Sequence, residues 1–381
     1  MKICYLFSDG RKTGPADLIM LMARALGERG HDVTIAYAGR SKSDAMRRAI
    51  EQSGLKGTDR FALDRYLSPV GTIRDLIQLP RYFADESFDV VHTNLRHDQT
   101  VGVLAARRCS KARRPIVVHS VYERLGPKNS LLRRRLFRMA DGVVVFTADF
   151  RSKLIERFAL PPQCVAVVPP PIDTAAFAGP RPEARRRVRA ELGLADDVPL
   201  IGMASRLQPY RRVDVFLEAA RRVLKAEPHA RFIVLGRSSR REQSFLTPRR
   251  ELGLEDHVIA AGYRRDDYAD YLAAMDIFTL LMPGSDGTAR AVREAMALGC
   301  ACVVSDFGML PELVPHEQGG MVSSFDPDSL ATTWGTLIRN PAHRRQLAAA
   351  GSAYALERFC PQRCAEALEQ CYARLTRQRG D

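Results

Sequence analysis

Two acidic side chains, Asp286 and Glu294, stand with seven residues between them. The segment around them reads P-G-S-D-G and closes, along a helical pattern, on E-A-M-A-x-G. A turn of small residues opening onto a helix leaves N–H groups without intrahelical partners, and the helix dipole adds partial positive charge there. Gly287, Thr288 and Arg290 occupy that junction, which suits a diphosphate. Glu294, two turns in, can accept hydrogen bonds from ligand hydroxyls. Arg206 and Arg212 flank a second strand-to-helix turn, S-R-L-Q-P-Y-R-R, and two guanidinium groups there make a clamp for phosphate oxygens. His119 closes a predicted strand, at the edge where open parallel sheets bind ligands. A lone histidine is as readily structural, and His92 and His97 near another strand end are weaker candidates.

Those side chains need a parallel sheet behind them. Residues 277–282 and 301–305 read as strands, with a helix over 288–298 ended by Gly299 and a further helix from 312. Strand–loop–helix twice over gives a parallel sheet whose loops share one edge. That edge carries Ser285, Asp286, Gly287, Asp306 and Gly308, with Met309 and Leu310 following. Upstream strands fall at 200–204, 231–235 and 258–262, the last followed by Tyr263 and Arg264. The N-terminal half has strands at 2–8, 33–37, 88–92, 115–120, 143–146 and 165–168. Its first loop holds Gly10 and Gly14 but forms neither G-x-G-x-x-G nor a Walker A element. Residues 40–86 are poorly periodic. Residues 131–139, LLRRRLFRM, read as a short basic helix with Leu132, Leu136 and Met139 on one side and Arg133, Arg134 and Arg135 around the other. Such a helix suits an anionic membrane surface, or equally a place against the sheet with its arginines in solvent.

Pro169-Pro170-Pro171 stops the first sheet. The expected fold class is therefore α/β: two Rossmann-like parallel-sheet domains, residues 1–177 and 178–360, with an amphipathic C-terminal helix over 361–381. A chain of 381 residues with 46% hydrophobic and 27% charged residues fits two soluble domains. No run of 18 apolar residues and no signal-peptide pattern is present, and the eight scattered cysteines form no C-x-x-C. The expectation is a cytoplasmic protein with reduced cysteines. The net charge of +14, carried by 50 Arg against 8 Lys, points to an anionic partner: a nucleotide-linked substrate, an anionic lipid surface or nucleic acid. No nucleic-acid motif and no metal-ligand spacing is seen.

Taken together, P-x-S-D-G, E-A-M-A-x-G, V-V-S-D and G-x-L-P-E-L resemble the retaining glycosyltransferases of the GT4 family, which have the GT-B fold. The resemblance implies an N-terminal acceptor domain, a C-terminal nucleotide-sugar domain, a central cleft, and a last helix crossing back onto the first domain. It implies catalytic roles for His119, Asp286, Arg206 and Arg212. It implies donor contacts from Gly14, Arg206, Arg212, Tyr263, Arg264, Gly287, Thr288, Arg290, Glu294, Gly308, Met309 and Leu310. Glu294 would hold the ribose, Asp286 the transferred sugar. The donor is a nucleoside-diphosphate sugar, no metal or other cofactor is required, and the acceptor is a glycan or lipid-linked molecule. Such a role belongs to envelope polysaccharide, lipopolysaccharide or glycolipid synthesis, with peripheral contact on the inner face of a membrane. The chain departs from the family pattern in four places: Asp286 stands for the first Glu of E-x7-E, Arg212 and Val213 for Lys-Gly, Thr13-Gly14 for a glycine pair, and Cys360-Pro361 for part of F-S-W. A non-hydrolysing sugar-nucleotide epimerase, a basic nucleic-acid-binding protein and a catalytically silent relative are the competing readings.

Overall fold

A computed structural model describes residues 1–40, 43–66, 68–123, 126–284 and 289–380. The chain divides into two compact units, Met1–Pro171 with Pro361–Asp381, and Ile172–Cys360.

The first unit begins with an apolar strand, β1 (Lys2–Phe7), buried from Ile3 onward. There follow α1 (Gly14–Glu28), β2 (Asp32–Tyr37), α2 (Ala45–Ser53), β3 (Lys56–Thr58), α3 (Pro69–Asp85), β4 (Val90–Thr93) and α4 (Arg96–Ala106). β5 (Ile116–Ser120), α5 (Leu131–Met139), β6 (Gly142–Val145), α6 (Ala148–Phe158) and β7 (Val165–Val167) complete the sheet. All its pairings are parallel, in the order β3-β2-β1-β4-β5-β6-β7. Alternate residues of β1 divide the core. Ile3, Tyr5 and Phe7 pack under α1 and α2, whereas Cys4 and Leu6 pack under α3 and α4. Val143 and Val145 meet α5 and α6 on the α4 side. Right-handed crossovers require this division, since the chain moves one way from β1 and the other way from β4.

The second unit runs α7 (Pro182–Glu191), β8 (Leu200–Ala204), α8 (Val213–Val223), β9 (Arg231–Leu235), α9 (Thr247–Glu251), β10 (Val258–Gly262) and α10 (Tyr268–Ala273). It continues through β11 (Ile277–Leu280), α11 (Arg290–Ala297), β12 (Ala301–Ser305), α12 (Leu310–Leu313), β13 (Gly320–Ser323), α13 (Pro327–Arg339) and α14 (Pro341–Arg358). The sheet order is β10-β9-β8-β11-β12-β13, again all parallel. Trp334 of α13 is wholly buried against Phe216 and Phe232, and its indole N–H donates to Thr279 Oγ1 at 3.0 Å.

The last helix, α15 (Pro361–Gly380), returns to the first unit and packs on α1. Cys364, Ala365, Leu368, Cys371, Tyr372 and Leu375 enter the α1-side core. Gly142 lets it close in: a Cβ there would lie 2.4 Å from Leu375 Cδ1. Tyr372 hydrogen-bonds His92 Nδ1, while His92 Nε2 meets Ser120 Oγ at 2.7 Å. His92 is thus a structural pin, and burial pushes its pKa down to about 3.

Two local expectations change. Residues 40–86 do fold, as α2, β3 and α3; α3 escapes a periodicity reading because its solvent face is apolar. In α5 Leu132 and Arg133 exchange the expected sides, while Leu136 is buried and Arg135 exposed as expected. Leu131 and Leu132 are 87% and 65% exposed, and Arg133 is 5% exposed. Arg133 donates to Gln99 Oε1 at 2.9 Å and to both oxygens of Glu123 at 3.1 Å, over the ring of Phe137. Both terminal nitrogens of this buried guanidinium are partnered, and it fixes which way the helix turns.

Candidate active site

The anion-directed features of the second unit lie where β8, β11 and β12 end. After β8 the chain runs through Ser205 and Arg206 under the start of the β9 loop. Gly236, at φ +155°, makes that approach feasible, because a Cβ would meet the Ser205 carbonyl oxygen at 1.9 Å. Its N–H donates to Gly262 O at 2.7 Å, tying the ends of β8, β9 and β10 together. Arg206 is exposed and makes no side-chain hydrogen bond or ion pair among the described residues. Arg212 takes the left-handed conformation, φ 57° and ψ 44°, ahead of α8. Its guanidinium meets Asp214 at 3.0 Å and lies over the Phe325 ring at 4.9 Å. Val213 needs no glycine freedom: it opens α8 and is buried, so the positive φ falls one residue earlier than the Lys-Gly pattern suggests. Arg211, passed over in sequence, donates to Met282 O at 2.7 Å and so joins this turn to the segment after β11.

Asp286, Gly287 and Thr288 lie outside the described residues, as does Ser285. The turn resumes at Ala289, left-handed at φ 46°, and α11 begins at Arg290 rather than at 288. Arg290 Nε donates to Glu294 Oε1 at 2.6 Å. Tyr268 of α10 lies beside the same carboxylate and, after the arginines, helps to hold its pKa down. Glu294 is 2% exposed, and burial raises its pKa, with Arg290 and then Arg293 opposing that rise. Tyr268 also sets its ring edge-on to Phe177 at 6.3 Å. Sequence patterning did not find Tyr268, since nothing local relates it to a glutamate on the next helix.

After β12, Ser305 Oγ donates to Leu281 O at 2.6 Å and links the two loops. Gly308 has φ +60°. The Leu310 N–H is taken by Phe307 O at 3.2 Å, so of the three expected amides only those of Gly308 and Met309 have no acceptor among the described residues. Tyr263 is exposed and carries the Arg237 guanidinium on its face at 4.1 Å. Arg264 is committed elsewhere: to Ala261 O at 3.1 Å, Asp267 at 3.0 Å and the Tyr271 ring at 4.0 Å. Its side chain braces the β10–α10 turn.

In the first unit His119 ends β5, as expected, but is almost wholly buried. Nδ1 contacts Thr93 Oγ1 at 2.9 Å and Thr93 O at 3.2 Å. A carbonyl only accepts, so the proton sits on Nδ1 and Nε2 presents a lone pair. Burial, then Arg133 and His92, drive the His119 pKa well below its ordinary value, so the ring is neutral. Gly14 is the first residue of α1, whose leading N–H groups ahead of Asp17 find no acceptor among the described residues. Asp98, unanticipated, is buried and accepts from the N–H groups of Ser8, Asn94 and Leu95 at 2.7–3.1 Å; burial raises its pKa to about 7. It locks the end of β1 to α4.

Two parallel-sheet Rossmann-like units, with a terminal helix returned to the first, define the GT-B fold of sugar-transferring enzymes. Residues 13–176 match the model of Glycosyltransferase Family 4, and residues 198–340 that of Glycosyl transferases group 1. The chain is a GT-B-fold glycosyltransferase related to these family 4, group 1 enzymes. It is 27% identical to a D-inositol 3-phosphate glycosyltransferase of Xylanimonas cellulosilytica, over 95% of this chain and 91% of that one. It is 29% identical to a GDP-mannose-dependent alpha-(1-6)-phosphatidylinositol monomannoside mannosyltransferase of Mycolicibacterium smegmatis, over 59% and 60%. Among solved structures, HepE of Anabaena in complex with UDP superposes at TM-score 0.80 and 21% identity, covering 97% of this chain and 99% of that chain.

Proposed function

We propose that the chain transfers a sugar, with retention of anomeric configuration, from a nucleoside-diphosphate sugar to a glycan or lipid-linked acceptor of the cell envelope. The observation that carries this reading is the uncommitted Arg206 guanidinium at the end of β8, in the same unit as a buried glutamate whose carboxylate is held by Arg290. Arg206, with Arg212 once it leaves Asp214, meets the diphosphate; the amides of Gly308 and Met309 take further oxygens. Glu294 accepts from the ribose hydroxyls, and Asp286 holds the sugar. The neutral His119 Nε2 accepts a hydroxyl hydrogen of the sugar.

In the reaction the bond from the anomeric carbon to the phosphate oxygen breaks while the acceptor oxygen bonds the same carbon from the same face. The acceptor proton passes to the departing phosphate oxygen. No protein nucleophile is needed, and the arginines stabilise the charge that grows on the diphosphate. The similarity to a D-inositol 3-phosphate glycosyltransferase, a GDP-mannose-dependent phosphatidylinositol monomannoside mannosyltransferase and a protein in complex with UDP supports an inositol-containing or lipid acceptor and a uridine or guanosine donor. A thermal-shift panel of nucleoside diphosphates and their sugars, followed by NMR of the product's anomeric proton, tests the proposal. Stabilisation by one donor and a new glycosidic bond of unchanged configuration are expected. A nucleotide sugar epimerised without a new bond would overturn it.

A further inference from the structure

The seven-stranded sheet of the first unit ends at β7, a strand of three residues. On one face of that edge Val165 packs with Leu154 and Phe158 of α6. On the other, Ala166 packs against the core that holds Leu368 and Cys371 of α15. Along the edge, between the two helices, lies a cavity of about 530 Å³. Arg151, Gln163, Gln370 and Arg374 bring polar groups to it, and Val165 and Val167 form part of its apolar wall. The Val168 N–H donates back to Val145 O of β6 at 2.9 Å, so strand alternation turns the backbone groups of Val165 and Val167 outward. Arg151 braces this edge: Nε donates to Val165 O at 2.8 Å and Nη2 to Pro162 O at 2.6 Å. Arg374 is half-buried, and its Nε has neither solvent nor a hydrogen-bond partner among the described residues. Among the described residues no carboxylate lines the cavity. The acids around it are Asp141, already held by Arg114 and the Val117 N–H, and exposed Glu366, one turn before Gln370 on α15. The Cys371 thiol, also in the wall, is pushed up to about 11 by burial and brings no charge.

We infer that this cavity binds a small phosphate ester of the size of a sugar phosphate, with the phosphate on Arg374 and Arg151 and the hydroxyls on Gln163 and Gln370. Two guanidinium groups without an opposing carboxylate call for an oxyanion. The desolvated Nε of Arg374 gains its missing acceptor only when one arrives. The volume exceeds what a single oxyanion fills and lies in the range of small-molecule sites. Glutamine amides both donate and accept, which suits hydroxyls, and the valine wall suits a carbon skeleton. A peptide strand added to the edge fits less well, because Arg151 already occupies the carbonyls of Val165 and Pro162. The cavity is separate from the proposed donor site, which belongs to the other unit, and from His119, two strands in from the edge. The inference therefore stands apart from the proposed function. A ligand bonded to Arg151 of α6 and Arg374 of α15 would tie the terminal helix to the sheet edge.

Isothermal titration calorimetry of the full chain with glucose 6-phosphate, glucose 1-phosphate, fructose 6-phosphate and glycerol 3-phosphate tests it, with glucose and inorganic phosphate as controls. Saturable binding of at least one ester is expected, tighter than that of inorganic phosphate, with no binding of glucose. Arg374→Gln should weaken the ester about 10- to 100-fold, as for a lost charged hydrogen bond. Gln163→Ala with Gln370→Ala should weaken it about five- to tenfold and leave inorganic phosphate unchanged. Arg374 forms no ion pair among the described residues, so the unliganded Tm of Arg374→Gln should match the parent. Hydrogen exchange of the α15 amides should slow on binding. Arg206→Ala, in the other unit, should bind the ester like the parent. No ester bound at millimolar concentration, inorganic phosphate bound as tightly as every ester, or undiminished affinity in Arg374→Gln would overturn the inference. So would loss of binding in Arg206→Ala, which would place the ester in the donor site.

Discussion

Three arginines at the ends of β8 and β10 look interchangeable in sequence, and the structure makes them separable by experiment. Arg206 is exposed and unbonded, so Arg206→Ala removes nothing that the free protein uses. Thermal stability should stay within the small range of ordinary surface changes. Its contribution is expected only when charge develops on the departing diphosphate. Losing one such donor costs about 2.7–4 kcal/mol, or about 10²–10³-fold in kcat. Arg264→Ala is the opposite case. It deletes a hydrogen bond to Ala261 O, one to Asp267, and a cation–π contact with Tyr271. At about 1 kcal/mol each, less for the half-exposed Asp267 pair, that is about 2 kcal/mol of stability. A fall in Tm of several degrees is then expected, with kcat changed less than tenfold. Arg212 falls between them, since it must exchange a surface ion pair with Asp214 for the diphosphate. Arg212→Ala should lower kcat by about 20- to 150-fold, less than Arg206→Ala, because the surface pair that Arg212 must give up subtracts about 1 kcal/mol from its contribution. Steady-state kinetics and differential scanning fluorimetry on the three variants read both axes. Near-wild-type kcat for Arg206→Ala, or equal loss of kcat for Arg206→Ala and Arg264→Ala, would refute the assignment.

Glu294 has a raised pKa through burial, opposed by Arg290, so donor KM should climb as pH falls through a value above the ordinary 4.5, while Arg290→Ala should move that limb to still higher pH; an unmoved KM–pH profile would separate Glu294 from the donor. Tyr268→Phe removes the hydroxyl that lies beside the Glu294 carboxylate, and is expected to raise donor KM by up to about fivefold, about 1 kcal/mol, with kcat and Tm little changed; a fall in kcat at constant KM would count against a positioning role. His92, with its folded pKa near 3 against an ordinary 6.5, confers stability that is full above pH 6.5 and lost as pH falls toward 3, at up to about 1.4 kcal/mol per pH unit. Chemical denaturation across that range should show the slope, and His92→Gln should flatten it.

The strands other than β3 and β13, and the parallel sense of both sheets, could be read from the sequence because buried apolar runs such as β1, β8 and β12 are bounded by glycines and polar turns at regular intervals. The helix after the P-G-S-D-G turn, with Glu294 on it, was legible for the same reason. What local pattern could not supply was partnership at a distance. His92 finds Tyr372 across 280 residues of chain. Tyr268 meets Glu294 from a neighbouring helix, and Arg264, which the family resemblance makes a donor contact, spends its side chain on Asp267 and Tyr271. Residue type told where a charge stands, and packing alone told whether it is free.

The α5 helix shows why that distinction matters most for a chain this basic. Hydrophobic patterning assumes that arginines seek water and leucines seek the core, and for LLRRRLFRM it assigns Arg133 outward and Leu132 inward. That assumption fails once another part of the chain supplies a carboxylate, an amide oxygen and an aromatic face at the right place, as Glu123, Gln99 and Phe137 do for Arg133. Burial still costs the guanidinium more than Glu123 returns, so its pKa is lowered, but the bonds it makes fix its direction. Helical geometry then dictates the rest: with Arg133, Leu136 and Phe137 inward, Leu131 and Leu132 have no direction left but solvent. The same arginine stands against the buried ring of His119 and lowers its pKa. One buried charge thereby sets the outward face of α5 and adds to the burial that keeps the candidate site histidine neutral. Arg133→Met would separate the two consequences: it keeps the side-chain bulk, lets the His119 pKa rise, and leaves Glu123 unpaired.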